Sequence, residues 1–177
     1  NQIDFTKKTI AVLGTGSSGM QIIPEVAKSA KKLYVLQRTP NYSVPAHNRS
    51  LDPDFVQEFK KNYKKNRADA KMLVSGFLTT YNKKSALEVT KQELKEEYDK
   101  RWAAGGLAFL AAFSDITHNL DANKTATKYI EDKIDEIVKN KKISEELKPR
   151  SIVGCKRLVI ESNYYDTFNK ANVELIN

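Results

Sequence analysis

Residues Thr9 to Tyr42, TIAVLGTGSSGMQIIPEVAKSAKKLYVLQRTPNY, constrain this chain more than any other stretch, because they read as strand, glycine turn, helix, strand and basic tip. The apolar run Ile10-Ala11-Val12-Leu13 has the length and β-branched content of a buried strand. It stops at Gly14-Thr15-Gly16-Ser17-Ser18-Gly19, a G-x-G-x-x-G turn. Each glycine of such a turn has a separate mechanical task. Gly14 permits the tight reversal, Gly16 lets a ligand's pyrophosphate approach backbone with no Cβ in the way, and Gly19 lets the helix pack close to the strand. A helix from Ser18 to Ala30 then points its unpaired N–H groups and positive dipole end at a phosphate, with the Thr15, Ser17 and Ser18 hydroxyls as further donors. A glycine turn that merely joins strand to helix is the bland alternative. The second strand, Leu33-Tyr34-Val35-Leu36, supplies the strand–helix–strand setting that argues against it.

The tip of the second strand chooses between nucleotides. A site for NAD wants Asp or Glu there to accept from the ribose 2′-hydroxyl, and a site for NADP wants cations. This chain offers Gln37-Arg38-Thr39. Arg38 can fork onto a 2′-phosphate and Thr39 can donate to it, so the unit favours NADPH over NADH and disfavours FAD.

With 177 residues the chain suffices for one domain with a real core, or for a small domain carrying a large insertion. The longest apolar run, Leu107 to Phe113, falls far short of the roughly 20 residues that span a bilayer. No basic-then-apolar leader opens the sequence. A single cysteine, Cys155, excludes an internal disulfide and any multi-cysteine metal site, and reads as a small packing residue. These features together lead us to expect a reducing, cytoplasmic setting. His47 and His118 are too few and too scattered for a zinc site, so no metal is expected. The excess of 30 basic over 22 acidic residues gives +8, which suits an anionic partner. Its concentrations, Lys60 to Lys71 and Lys139 to Lys142, come without a nucleic-acid-binding pattern and read as solvated faces.

After Tyr42, Ser43-Val44-Pro45-Ala46-His47-Asn48 reads as extended loop, because proline fixes its own φ and biases Val44 away from helix. Asp52-Pro53 is an N-cap followed by proline at the first helical position, and Phe55, Val56, Phe59 and Tyr63 recur at helical spacing. Thr90-Lys91-Gln92-Glu93 is a capping box opening a helix that runs to Gly105-Gly106. Leu107 to Ile116 reads as a short buried helix. Asp121 or Asn123 starts the next, with Ala126, Ile130, Ile134, Ile137 and Val138 on one face, and Pro149 ends a short helical turn begun near Ser144. Strand-like Leu158-Val159-Ile160, a helix from Tyr164 to Lys170 and a third parallel strand, Val173 to Ile176, then resume the interrupted topology. The expected organisation is a first βαβ part (1–50), a helical insertion (51–150) and a return to the nucleotide-binding domain (151–177).

The stretches GTGSSGMQ, LYVLQRTPNYSVPAHN, SALEVT, AFSDI, GCKRL, YYDTFN and NVELIN, in that order, resemble the NADPH-binding portion of Baeyer-Villiger monooxygenases of the cyclohexanone monooxygenase type. The resemblance spans nearly the whole chain, helical insertion included. It implies an α/β, Rossmann-like NADPH-binding domain with a large helical insertion and a parallel sheet that needs further strands. It also implies that Gly14, Thr15, Gly16, Ser17, Ser18, Gly19 and Gln21 hold the NADPH pyrophosphate. Arg38, Thr39 and Lys156 would surround the 2′-phosphate, and Arg157 would match the family's active-site arginine. In such enzymes NADPH reduces an FAD, O2 forms a flavin C4a-peroxide, and this attacks a ketone to give an ester or lactone. Family members hold FAD in a separate domain with its own glycine motif and an F-x-G-x-x-x-H-x-x-x-W signature; neither occurs in these residues. This polypeptide alone is therefore expected to be inactive.

Two other readings stand beside this one: the pyridine-nucleotide domain of a flavin monooxygenase acting on nitrogen or sulfur, and a non-catalytic nucleotide-binding module. A sheet that needs more strands than the chain supplies also leaves the outer edge of Ile10 to Leu13 bare. The expectation is that the chain self-associates there, or covers the edge with Asn1 to Lys7 or Asn172 to Asn177.

Overall fold

The computed structural model describes residues 3–177. It is an α/β structure with parallel sheets. Strand β1 (Thr9–Leu13) leads through the glycine turn into helix α1 (Ser17–Ala27) and back to β2 (Lys32–Leu36), parallel to β1 with Ile10 opposite Leu33 and Val12 opposite Val35. The next strand, β3 (Ser43–Pro45), leaves this sheet. Helices α2 (Pro53–Lys61), α3 (Tyr63–Met72), α4 (Lys91–Ala104), α5 (Leu120–Ile137) and α6 (Lys141–Leu147) follow, with a 3-10 turn at Leu107–Ala111. Strand β4 (Val159–Glu161) then pairs parallel with β3. After the short α7 (Tyr164–Thr167), β5 (Val173–Ile176) docks parallel on the free side of β2, so the main sheet has the order β1-β2-β5.

The pleat sorts the side chains of this sheet. Ile10, Leu33 and Val173, then Val12, Val35 and Leu175, form two rows on one face. That face joins the core with Met20, Ile23, Val26 and Ala27 of α1, which lies between the main sheet and the β4–α7 segment. Leu13, Leu36 and Ile176 form a row on the other face, which is partly open, and Leu13 is 78% exposed. A second part of the core is aromatic: Tyr98 stacks on Phe109 and meets Phe113 edge-on, with Tyr129 and Trp102 alongside.

Several local expectations need correcting. Ser43 to Pro45 is a strand, not loop; three residues ending in proline carry no periodicity, but their hydrogen-bonding partner is 116 positions away, Ser43 opposite Val159. The strand around Leu158 to Ile160 consequently belongs to this small sheet and not to the main one. Helix α1 stops at Ala27, and Ala30 instead forms an antiparallel bridge with Thr6. Asn119 caps α5, its side chain accepting from Asp121 and Ala122 N–H, while Asn123 is buried and its amide ties Ile116 and Val153 carbonyls together. The helix expected from Tyr164 to Lys170 is α-helical only to Thr167, with tighter turns after it. Cys155 is exposed, not a packing residue.

The Asp52 cap and the Thr90 capping box form as read. Helices α2 and α3 bury no residue at all, so the apolar stripe Phe55, Phe59 and Tyr63 faces outward. The periodicity was a helix signal, and tertiary packing was a separate question.

Among the described residues, strand β1 pairs only on the β2 side. Because Gly14 N–H reaches Leu36 O, the alternate residues Thr9, Ala11 and Leu13 turn their backbone groups to the open edge. Among the described residues the chain's ends do not cover it: Val173 to Ile176 sits on β2, and Thr6 bridges Ala30, while Asn1 and Gln2 lie outside the described residues. Self-association is the other expectation. Sedimentation of the 177-residue chain should show concentration-dependent association, weakened by Ala11→Lys, which puts a charge on the exposed edge. A chain that stays monomeric across the accessible concentrations would remove this expectation.

Candidate functional site

The glycine turn has the geometry its three jobs require. Gly14 has φ +91° and its N–H is held by Leu36 O at 2.8 Å, which fastens the reversal to the end of β2. Gly16 begins the helix, and a Cβ there would meet nothing within 4 Å, so the space above it is free for a ligand. At Gly19 a Cβ would stand 2.2 Å from Gly14 O, so only glycine lets α1 approach the turn this closely. No side chain caps α1, and the N–H groups of its first turn are left for a ligand.

A cleft of about 760 Å³ opens at the C-terminal ends of the strands, which is where ligands bind in open α/β sheets. Gly14, Thr15, Gly16, Arg38, Thr39 and Lys156 line it, above the apolar row of Leu13, Leu36 and Ile176. Six of the eleven candidate residues are thus brought to one place by three separate segments. Ser17 and Ser18 are exposed at the start of α1 without lining the cleft, and Gly19 lies behind it.

Two candidates are used differently from the expectation. Thr15 is buried, and its hydroxyl is directed at Gln37 Oε1 (3.4 Å) and Thr39 O (3.2 Å), so it is not a free phosphate donor; its backbone remains in the cleft. The Gln21 amide donates to Ile160 O at 3.3 Å, tying α1 to β4, and Gln21 does not line the cleft.

Gln37 carries a structural role that its sequence position did not reveal. It is buried, and its Nε2 donates to Glu146 O and to Asn177 Oδ1, both at 2.8 Å, while its Oε1 faces Thr15. One side chain therefore fastens the strand tip to α6, to the C-terminal strand and to the glycine turn. Five residues on, the buried Tyr42 hydroxyl stands 3.1 Å from Pro149 O and 2.9 Å from Ser151 O. Segment 37–42 is braced in this way against segment 146–151.

Arg157 is exposed and does not line this cleft. It lines a separate, mainly apolar pocket of about 340 Å³ with Val74, Phe77, Leu107, Leu110 and Phe113. Its neighbour Lys156 lines both spaces. On the far side of α1, Glu161 is buried and accepts from Tyr164 N–H; burial pushes its carboxyl above the usual range, against that hydrogen bond and His47. It holds α7 under β4. Among the described residues no group of three or more His, Cys, Asp and Glu is placed to hold a metal ion, and no helix is long and apolar enough to cross a membrane.

No protein-family model matches the chain. It is 38% identical over 177 residues to a cyclohexanone 1,2-monooxygenase of Acinetobacter sp, covering 99% of this chain and 32% of that protein. It is 34% identical over 173 residues to a phenazine N-monooxygenase of Lysobacter antibioticus, covering 96% of this chain and 31% of that protein. Among solved structures, a steroid monooxygenase bound to NADP superposes with a TM-score of 0.94 at 42% identity, covering 99% of this chain and 34% of that one. The chain thus spans about a third of the length of the relatives it matches.

Proposed function

From the premise that this chain corresponds, at about 30–40% identity, to one third of a Baeyer-Villiger monooxygenase of the cyclohexanone monooxygenase type, we propose that it is the portion that binds NADPH. The observation that carries this reading is the joint lining of one cleft by the glycine turn, Arg38, Thr39 and Lys156. The pyrophosphate lies over Gly16 at the start of α1, where the unpaired N–H groups and helix dipole meet its charge. Arg38, Thr39 and Lys156 surround the adenosine 2′-phosphate. FAD has no such phosphate, and the position where an acid would accept from a ribose hydroxyl is Gln37, turned inward. On this reading FAD is held by a part of the enzyme outside these residues, and residues 1–50 and 151–177 form the nucleotide-binding domain around a helical insertion.

The flavin supplies the oxygen chemistry, by which one atom of O2 is inserted into a ketone to give an ester or lactone. Arg157 is the residue of this chain that serves the reaction. Its guanidinium presents a planar fork of donors to an apolar pocket, where it stabilises negative charge developing on oxygen. Lys156, next to it, faces the nucleotide. A second reading, oxygenation at nitrogen, is favoured by the similarity to the phenazine N-monooxygenase, and turnover of a ketone against an aromatic amine by the full-length enzyme separates the two.

The test of the nucleotide assignment is a titration with NADPH and NADH. The unmutated protein should prefer NADPH, and Arg38→Ala should remove most of the preference. A charge-assisted bidentate contact is worth on the order of 1.5 to 3 kcal/mol, so discrimination should fall roughly ten- to a hundred-fold. Equal affinity of the unmutated protein for both nucleotides would defeat the assignment.

A further inference from the structure

The nucleotide cleft continues past the strand tip into a larger depression of about 1290 Å³, whose far wall comes from α6 and the segment after it. Arg38 and Thr39 line both spaces. The far wall carries Lys141, Lys142, Lys148 and Arg150 against Glu131, Glu145 and Glu146. Much of that charge is already spent. Lys148 stands 2.6 Å from Glu145 and 2.8 Å from Asp135, and Lys142 stands 3.9 Å from Glu146. Among the described residues, Arg38, Lys141 and Arg150 have no carboxylate at ion-pair distance. Glu131 is the one acid of the wall, among the described residues, outside an ion pair, and burial pushes its carboxyl above the usual range.

Lys141 is exposed at the first position of α6. Arg150 is placed differently. The carbonyls on either side of it, Pro149 O and Ser151 O, both lie within hydrogen-bond distance of the buried Tyr42 hydroxyl, and Gln37 holds Glu146 O four residues earlier. The backbone that bears Arg150 is therefore braced at three points against the backbone that bears Arg38, and each arginine lies within its braced segment with its side chain exposed. Two uncommitted guanidinium groups, on segments fixed to each other, border one opening. Such an arrangement suits a dianion, because the two backbones that carry the cations need not move towards each other when the anion arrives.

We infer that Arg150 is a second cationic contact for the adenosine 2′-phosphate, acting opposite Arg38, so that the helical block supplies part of the preference for a 2′-phosphorylated nucleotide. This inference rests on the NADPH reading above and adds a residue to it. Brought from the opposite wall, Arg150 lets the phosphate be held from two sides, and its positive charge raises the local concentration of the dianion before contact.

The experiment uses the 177-residue protein with two probes, 2′,5′-ADP and 5′-AMP, which differ by the 2′-phosphate. The unmutated protein should bind 2′,5′-ADP more tightly. Arg150→Ala should lower the ratio of the two affinities by roughly three- to ten-fold, with the 5′-AMP affinity unchanged, and Arg150→Lys should recover part of it. Because Arg150 is exposed, the substitution leaves the core intact, and an unchanged 5′-AMP affinity verifies the cleft. A ratio that falls with Arg38→Ala but stays unchanged with Arg150→Ala overturns this inference and leaves the NADPH reading standing. A ratio near one in the unmutated protein overturns both.

Discussion

Arg157→Ala in the full-length enzyme should abolish ester formation while leaving NADPH binding largely intact. The separation follows from geometry: Arg157 lines the apolar pocket with Phe77 and Leu110, and the nucleotide cleft is lined without it. Losing a single preorganised donor to a developing oxyanion costs about 10²- to 10³-fold in rate, and here a full positive charge is lost as well. Arg157→Lys should be a poor substitute, because an ammonium keeps the charge but lacks the planar fork. Product assay and NADPH titration on the same variant decide the matter. Normal ester yield from Arg157→Ala would refute the catalytic role, and lost nucleotide binding would show that the two spaces are not separate.

Gly19→Ala should be strongly destabilising. Its Cβ would be placed 2.2 Å from Gly14 O and 3.2 Å from Gly14 C, both backbone atoms that cannot rotate away. Helix α1 must then lift off the turn, pulling Met20 and Ile23 from contacts that bury them almost completely. A cost of about 3 kcal/mol or more is expected, or roughly 6–12 °C in Tm for a chain of this size. Gly16→Ala is the matched control. Its Cβ enters open space at an ordinary backbone conformation (φ −82°), so stability should hold while pyrophosphate binding weakens. Thermal melts and nucleotide titrations of the two variants side by side check both halves. Equal stability of Gly19→Ala and Gly16→Ala would contradict the packing argument.

The parts of the molecule legible in the sequence were those whose determinants are local. The strand, turn and helix around Gly14 to Gly19 could be read because backbone sterics at three glycines dictate the geometry. The caps at Asp52 and Thr90 could be read because the hydrogen bond they make lies within three residues. Parallel pairing of Val173 to Ile176 followed from a βαβ pattern that only its interruption obscured. What stayed hidden depends on partners far away in the chain. Gln37 looked like one member of a nucleotide-facing tip, yet the two acceptors of its amide are 109 and 140 positions away. Thr15 looked like a phosphate donor until burial turned its hydroxyl inward. Arg150 gave no signal, because an arginine after a proline is unremarkable until the Tyr42 hydroxyl is seen to clasp the carbonyls on either side of it.

The helix pair α2–α3 sets an order of events within the molecule. Segments of 9 and 10 residues are too short to be firmly helical on their own propensity, and these two bury nothing that would reward them for staying folded. Their backbone hydrogen bonds therefore open at a free energy well below that of global unfolding, as a cooperative unit distinct from the Tyr98–Phe109 core. In hydrogen exchange, amides from Phe55 to Met72 should lose protection first, and Asn62, where the two helices break, should be where a protease gains access before the cleft at the glycine turn is disturbed. The glycine turn, clamped by Leu36 and packed against α1, should open later than these two helices.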